Sequence, residues 1–315
     1  MIELTLAHSP DPDDAFMWWP LTGKISPDGV PLAGSAGKPA FDTGRFRFRA
    51  LPADIEALNR RASDRGDLDI TALSVRCYAD VKDRYAITRC GASFGDGFGP
   101  KVVCRAERDI RCEGCLRRPG LRIAIPGRRT TAFLLLGMIL GDPAAREAAR
   151  FVEMPFEQII GAVSRGEVDA GLVIHEGQLT FADAGLRLVI DVGAWWKDES
   201  GLKLPLGINA VRRDLDSRFG PGTLREVGNL LRRSVAYAAE RRRESVEYTM
   251  DFARANVARG GGLAPTFERV DAYCRMYVSE ESLDMGDAGR AAIARLLGEG
   301  ARLGLCPEPG AIGLV

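Results

Sequence analysis

Short apolar runs alternate with amphipathic stretches along the chain, and the alternation predicts strands and helices in turn. Residues 2–7 read as a strand, residues 8–14 as a loop and residues 15–21 as a helix. Residues 22–50 are rich in Gly and Pro, and residues 45–51 alternate as a further strand. Ile55, Leu58, Asn59 and Ala62 recur at helical spacing behind Asp54, an N-cap candidate, with Gly66 as the stop. Residues 68–73 form the next strand, ending at Ser74, and a helix follows over 75–83. Beyond the Gly-rich loop 91–100, residues 101–105 are a strand. A second set then runs through strands 121–125, 151–154, 168–175 and 186–192, with helices over 131–140 and 156–165. From about Pro221 the chain is helical, with Leu224, Val227, Leu230, Leu231 and Val235 as one stripe and a last long helix over 287–303. Apolar strands set between helices belong to mostly parallel sheets, so the fold class is α/β.

With 315 residues and a hydrophobic fraction of 46%, the chain is long enough to divide its core between two lobes. Lys plus Arg and Asp plus Glu both total 43, giving zero formal charge, so no nucleic-acid partner is expected. Arg241-Arg-Arg243 reads as a solvated helix face. No apolar stretch reaches the roughly 18 to 20 residues of a membrane span. The N-terminus has the pattern of a strand entering a loop and not of a signal peptide, so a soluble, cytoplasmic protein is expected. Seven scattered cysteines fit a reducing compartment. Cys112-Glu-Gly-Cys115, in a polar insertion, lacks the second ligand pair a structural zinc requires, and no metal is expected.

The chemistry gathers at strand ends, where ligands bind in open parallel sheets. His175, one of two histidines, ends the run Val168-Asp-Ala-Gly-Leu-Val-Ile-His175. A neutral imidazole there is suited to taking a proton near pH 7, although a histidine satisfied by a backbone carbonyl would look the same. Ser74 ends another buried strand, where its hydroxyl and backbone N–H can meet a ligand; no G-x-S-x-G elbow accompanies it. Pro126-Gly-Arg-Arg-Thr130-Thr131-Ala132 opens a helix, whose N-terminal N–H groups and threonine hydroxyls can cradle a carboxylate or phosphate. N-capping accounts for one of the two threonines. Asp13 and Asp14 in Ser9-Pro-Asp-Pro-Asp-Asp14 are read first as helix caps, ahead of an acid/base pair or a metal site. Gly193-Ala-Trp-Trp196 follows a strand and serves either as cleft wall or as packing. P-loop spacing and GxGxxG are both absent, which argues against nucleotide and dinucleotide cofactors.

Five motifs together, His8-Ser-Pro-Asp-Pro-Asp-Asp-Ala-Phe16, Pro126 to Ala132, Gly171-Leu-Val-Ile-His-Glu176, Gly193 to Trp196 and Pro205-Leu-Gly207, occur in an order that resembles the 1,4-dihydroxy-6-naphthoate synthases. These belong to the futalosine route to menaquinone, and the resemblance runs from about residue 1 to 305. It implies a fold like a type II periplasmic binding protein, with two crossover strands (101–105 and 208–212) and a ligand cleft between lobes. One lobe would hold residues 1–102 and 210–315, with the C-terminal helices packed back on it; the other would hold 103–209. The implied reaction is a lyase cleavage of cyclic dehypoxanthinyl futalosine to 1,4-dihydroxy-6-naphthoate and a sugar-derived fragment, with no cofactor. His175 would be its base, and Ala72, Leu73, Ser74, Thr131 and Ala132 would bind the small carboxylate substrate, with Thr130 beside them. Glu176 would not orient His175, because adjacent strand residues face opposite ways. The first loop departs from the typical Ser-Pro-Cys-Pro-Asn-Asp-Thr, and residues 26–49 and 107–119 look like insertions. The alternatives are a non-catalytic binding or sensor protein on the same fold and the related chorismate dehydratase.

Overall fold

The computed structural model describes residues 1–141, 150–260 and 264–315. Among these, the apolar runs form eleven strands: β1 (Ile2–His8), β2 (Phe46–Pro52), β3 (Ile70–Ser74), β4 (Tyr85–Ile87), β5 (Ser93–Gly95), β6 (Lys101–Arg105), β7 (Ile123–Ile125), β8 (Phe151–Glu153), β9 (Ala170–Val173), β10 (Leu186–Asp191) and β11 (Leu204–Arg212). They fall into two sheets. The first has the order β2-β1-β3-β11-β4, with β5 also on β11; the second has the order β10-β6-β9-β7-β8. The chain therefore passes to the second sheet between β5 and β6 and returns between β10 and β11.

Parallel pairing holds inside each βαβ unit: β1 lies between β2 and β3, and β7 between β8 and β9. The strands next to the passages are antiparallel. β11 runs against β3, β4 and β5, and β6 runs against β9 and β10. The expectation of mostly parallel sheets is corrected to that extent: the strands that carry the chain from one sheet to the other enter the new sheet from the opposite end.

Local sequence explains the elements that reach the interior. Asp54 caps the helix Ile55–Asp64 by accepting from the N–H groups of Glu56 and Ala57. The helix Thr131–Leu140 is apolar nearly all round, as a helix buried on every side must be. It belongs to an apolar cluster that also takes in Ala72 and Leu73 of β3 and Ile123 and Ile125 of β7, so the two sheets share one continuous core. The C-terminal helices Thr223–Glu240 and Arg242–Gly260 bury Val227, Leu231, Val235 and Val246 together with Phe16, Trp18 and Leu21 of the helix Pro12–Thr22, beside the first sheet. Among the described residues, no helix is long and apolar enough to cross a membrane.

Two local expectations change. The strand expected to run to His175 stops at Val173, and His175 lies in a turn with φ 53°. Gly193 to Trp196 lie within a helix, Val192–Ser200, whose first turn is capped by Asp191. Trp196 is buried there, donating to the Lys203 carbonyl at 3.4 Å, and neither tryptophan lines the cleft described next, so packing is their role.

Candidate active site

A cleft of about 670 Å³ lies between the sheets, and elements from both reach its wall. The end of β3 supplies Ala72, Leu73 and Ser74. The start of the helix Thr131–Leu140 supplies Thr130, Thr131 and Ala132, and the turn after β9 supplies His175. All seven residues expected from sequence thus face one space. Ser9, Asp11, Asp13 and Asp14 from the first loop and helix face it too, as do Asn209 on β11 and Tyr273.

The left-handed turn carries the His175 ring out of the sheet, edge-on to Phe156 with centroids 4.5 Å apart. Its Nδ1 lies 2.5 Å from Asp11 Oδ2 and 3.5 Å from the Tyr273 hydroxyl. Its Nε2 is buried without a partner. The orienting carboxylate is therefore Asp11. Glu176 instead accepts from Asn256 Nδ2 at 3.1 Å. Asp11 occupies the N-cap position of the helix Pro12–Thr22 but makes no cap hydrogen bond, which leaves its carboxylate free to reach across to the imidazole. Asp13 Oδ2 accepts from the Ser93 hydroxyl at 3.2 Å, and Asp14 Oδ2 accepts from Ser9 N–H at 2.7 Å. The capping role expected for Asp13 and Asp14 is thus corrected: both point to the cleft side and bond outside the helix.

Three buried carboxyls and one imidazole act on one another's charge, and neither Lys nor Arg is among the described residues lining the cleft. Burial works against the His175 cation, but the charge and hydrogen bond of Asp11 outweigh it and push the imidazole up to about 10. Burial likewise works against the Asp11 anion, yet His175 holds that carboxyl below its ordinary value. Burial and the negative charge of Asp11 push Asp14 up to about 8, and burial with Asp11 and Asp14 raises Asp13 well above the usual range. Among the described residues, no group of three His, Cys, Asp or Glu side chains is arranged to hold a metal ion.

The hydroxyls at the other end of the cleft are engaged within the protein. Thr130 accepts from Phe133 N–H at 3.2 Å and donates to the Gly127 carbonyl at 2.7 Å, a capping role. Thr131 donates to the Leu206 carbonyl at 2.7 Å. What this helix start offers a ligand is therefore its first-turn N–H groups, at Thr131 and Ala132, together with the positive end of the helix. Ser74 is held by Asn59, whose Oδ1 takes the Ser74 N–H and whose Nδ2 donates to the Ser74 hydroxyl, both at 3.0 Å. The Ser74 N–H is thus spent, and its hydroxyl proton remains for a ligand. Asn59 was visible in the sequence as a polar residue within an apolar helical stripe. Cys112 and Cys115 lie away from this wall at the surface, with Sγ atoms 3.1 Å apart.

A family model described as menaquinone biosynthesis matches residues 4–302. A 1,4-dihydroxy-6-naphthoate synthase of Thermus thermophilus is 37% identical over 98% of this chain and 98% of its own length. The corresponding synthase of Streptomyces coelicolor is 33% identical over 98% of this chain and 96% of its own. A crystal structure from Archaeoglobus fulgidus superposes with a TM-score of 0.74 at 38% identity, covering 95% of this chain and 97% of that one. The alkanesulfonate-binding protein of Xanthomonas axonopodis pv. citri, at 12% identity, superposes with a TM-score of 0.62 over 99% and 96% of the two chains. The architecture is accordingly the two-lobed α/β fold of periplasmic binding proteins, with the ligand cleft between lobes.

Proposed function

The chain belongs to the menaquinone-biosynthesis family, and from that premise we propose that it converts cyclic dehypoxanthinyl futalosine into 1,4-dihydroxy-6-naphthoate and a sugar-derived fragment, a carbon–carbon lyase reaction. The observation that carries the chemistry is His175. One ring nitrogen is held by Asp11, and the other is buried, unpartnered and on the wall of the cleft. A ring held in this way is a base whose free lone pair has a fixed direction. The charge and hydrogen bond of Asp11 favour the imidazolium form and raise the ring to about 10. The working base is the neutral ring, with Nδ1–H donating to Asp11 and the Nε2 lone pair turned to the substrate.

In this reading the substrate carboxylate lies at the helix start, on the N–H groups of Thr131 and Ala132, with the Ser74 hydroxyl beside it. His175 removes a proton from substrate carbon. The electrons flow into the ring system, and the gain of aromaticity drives the cleavage. Ala72 and Leu73 form the apolar floor on which a flat ring rests.

The test is incubation with cyclic dehypoxanthinyl futalosine, with chromatography for the dihydroxynaphthoate. The wild type should form product, and His175→Ala should lose at least about a hundredfold in rate, the scale expected of a general base. Saturable binding without turnover would replace the enzyme reading with that of a binding protein. Turnover of chorismate in its place would reassign the reaction.

A further inference from the structure

Two buried oxygens in the cleft lack a donor, and they belong to neighbouring carboxyls. Asp11 Oδ1 and Asp13 Oδ1 have no hydrogen-bond partner, although the two residues are only 3% and 5% exposed. The carboxyls lie within hydrogen-bonding reach of each other. Two ionised carboxylates can only accept, whereas a single proton between them satisfies both oxygens. The remaining oxygens are already taken, Asp11 Oδ2 by His175 and Asp13 Oδ2 by the Ser93 hydroxyl. A chain results, Ser93, Asp13, Asp11, His175 and then the cleft, with the Ser9 hydroxyl also acting on Asp11.

The position of the proton follows from the neighbours. Asp11 touches the imidazole, which favours its charge. Asp13 has a hydroxyl for a partner and two carboxyls nearby, and such close buried carboxyls cannot all ionise. We propose that Asp13 is a positioning residue for the His175 base: its protonated carboxyl donates to Asp11 Oδ1 and so keeps Asp11 Oδ2 on His175 Nδ1. The proposal rests on the reading of His175 as the base.

The charged and titratable groups facing this chain come from every side. Asp11, Asp13 and Asp14 belong to the first loop and helix, Glu176 is the chain neighbour of His175, and Asp54 stands before the helix Ile55–Asp64. Tyr273 comes from the helix Phe267–Tyr277, and His8 faces Asp11 from the end of β1. Burial pushes the His8 imidazole down, and burial pushes the Tyr273 phenol up, so both are neutral in the physiological range. Burial also raises Asp54 and Glu176. The His175 charge also favours an Asp13 anion, but burial and the negative charges of Asp11 and Asp14 outweigh it.

An asparagine at position 13 would make the same donation with its amide and could not titrate. Alanine or leucine would remove the Asp13 donor and leave Asp11 with the Ser9 hydroxyl beside it, which does not fix Asp11 Oδ2 on the imidazole. The experiment combines kinetics with imidazole NMR of uniformly ¹⁵N-labelled protein, which is simplified because His8 and His175 are the two histidines of the chain. In Asp13→Asn, kcat should stay within about threefold of wild type, and His175 should keep its Nδ1–H tautomer and its titration near 10. In Asp13→Ala, kcat should fall at least about tenfold with KM little changed, and the His175 titration should move to lower pH. Asp13→Leu, closer in volume, serves if the alanine variant does not fold. An unchanged His175 titration and kcat in the apolar variants would overturn the proposal, as would Asp13→Asn being as damaged as Asp13→Ala. If the imidazole titrations follow expectation but the wild type does not convert the substrate, it is the functional reading that fails, and the positioning of a base fails with it.

Discussion

His175 adopts a backbone conformation that residues other than glycine rarely enter, with φ 53°. Such a conformation costs on the order of 1–3 kcal/mol and persists where the surroundings enforce it, commonly at functional sites. Here Asp11, Phe156 and Tyr273 hold the ring that the turn delivers. The most direct test of this arrangement is Asp11→Asn. A base is active when deprotonated, so the acid limb of kcat/KM against pH follows the imidazole titration. Since Asp11 is what lifts His175 to about 10, its neutralisation should move that limb toward the ordinary value of 6.5. A limb that stays in place or moves to higher pH would mean that Asp11 does not control the imidazole. His175 itself was legible in the sequence, being a rare residue at the end of an apolar run. Its pairing with Asp11 was not. The two are far apart in the chain, and Asp11, Asp13 and Asp14 ahead of a helix satisfy the local logic of capping so well that nothing in the sequence demanded another partner.

At the scale of elements, the two passages between the sheets pack against each other through glycine. A Cβ built on Gly193, in the first turn of the helix Val192–Ser200, would lie 2.0 Å from the Phe98 carbonyl carbon and 2.3 Å from Gly99 N. These are backbone atoms and cannot swing aside. Gly193→Ala should therefore cost about 1–3 kcal/mol as an overpacking substitution, read as a lower urea midpoint at unchanged slope. A wild-type midpoint would show that the passages have room to separate. The same elements mark the limit of what a periodic pattern conveys. The strand Lys101–Arg105 and the helix Thr131–Leu140 match the expected bounds, because Gly, Pro and Thr punctuate them. The run ending in His175 reads two residues too long at each end, since Val168 and Ile174 are as apolar as the strand between them. The antiparallel strands were invisible: a strand buried on both faces carries the same Val/Ile/Leu composition in either direction.

For the molecule as a whole, 43 acidic and 43 basic side chains balance, and that balance conceals a cleft in which carboxyls outnumber cations. Most acidic groups with shifted titration near the surface, such as Asp67 and Asp96, are lowered by basic partners and stabilise the fold once ionised. Asp14 runs the other way. With its ordinary value of 3.8 raised to about 8, the folded state holds a proton that the unfolded chain has already released, so between those values stability falls as pH rises. His175 adds to the same trend higher up. Raised from 6.5 to about 10, it contributes stability that is complete below 6.5 and is lost as pH rises through 10. The unliganded protein should accordingly weaken from pH 5 to pH 9, even though its net charge is near zero in the middle of that range. Asp14→Asn isolates the cause, because the amide oxygen can still accept from Ser9 N–H while nothing remains to ionise. Urea midpoints of the two proteins should lie closest near pH 4 and separate as pH rises, the variant being the more stable at pH 8.5. Parallel curves would place the pH sensitivity elsewhere in the molecule. Divergence in the expected sense would show that the cleft keeps its carboxyls at a cost to the fold, as expected of a site shaped for chemistry rather than for stability.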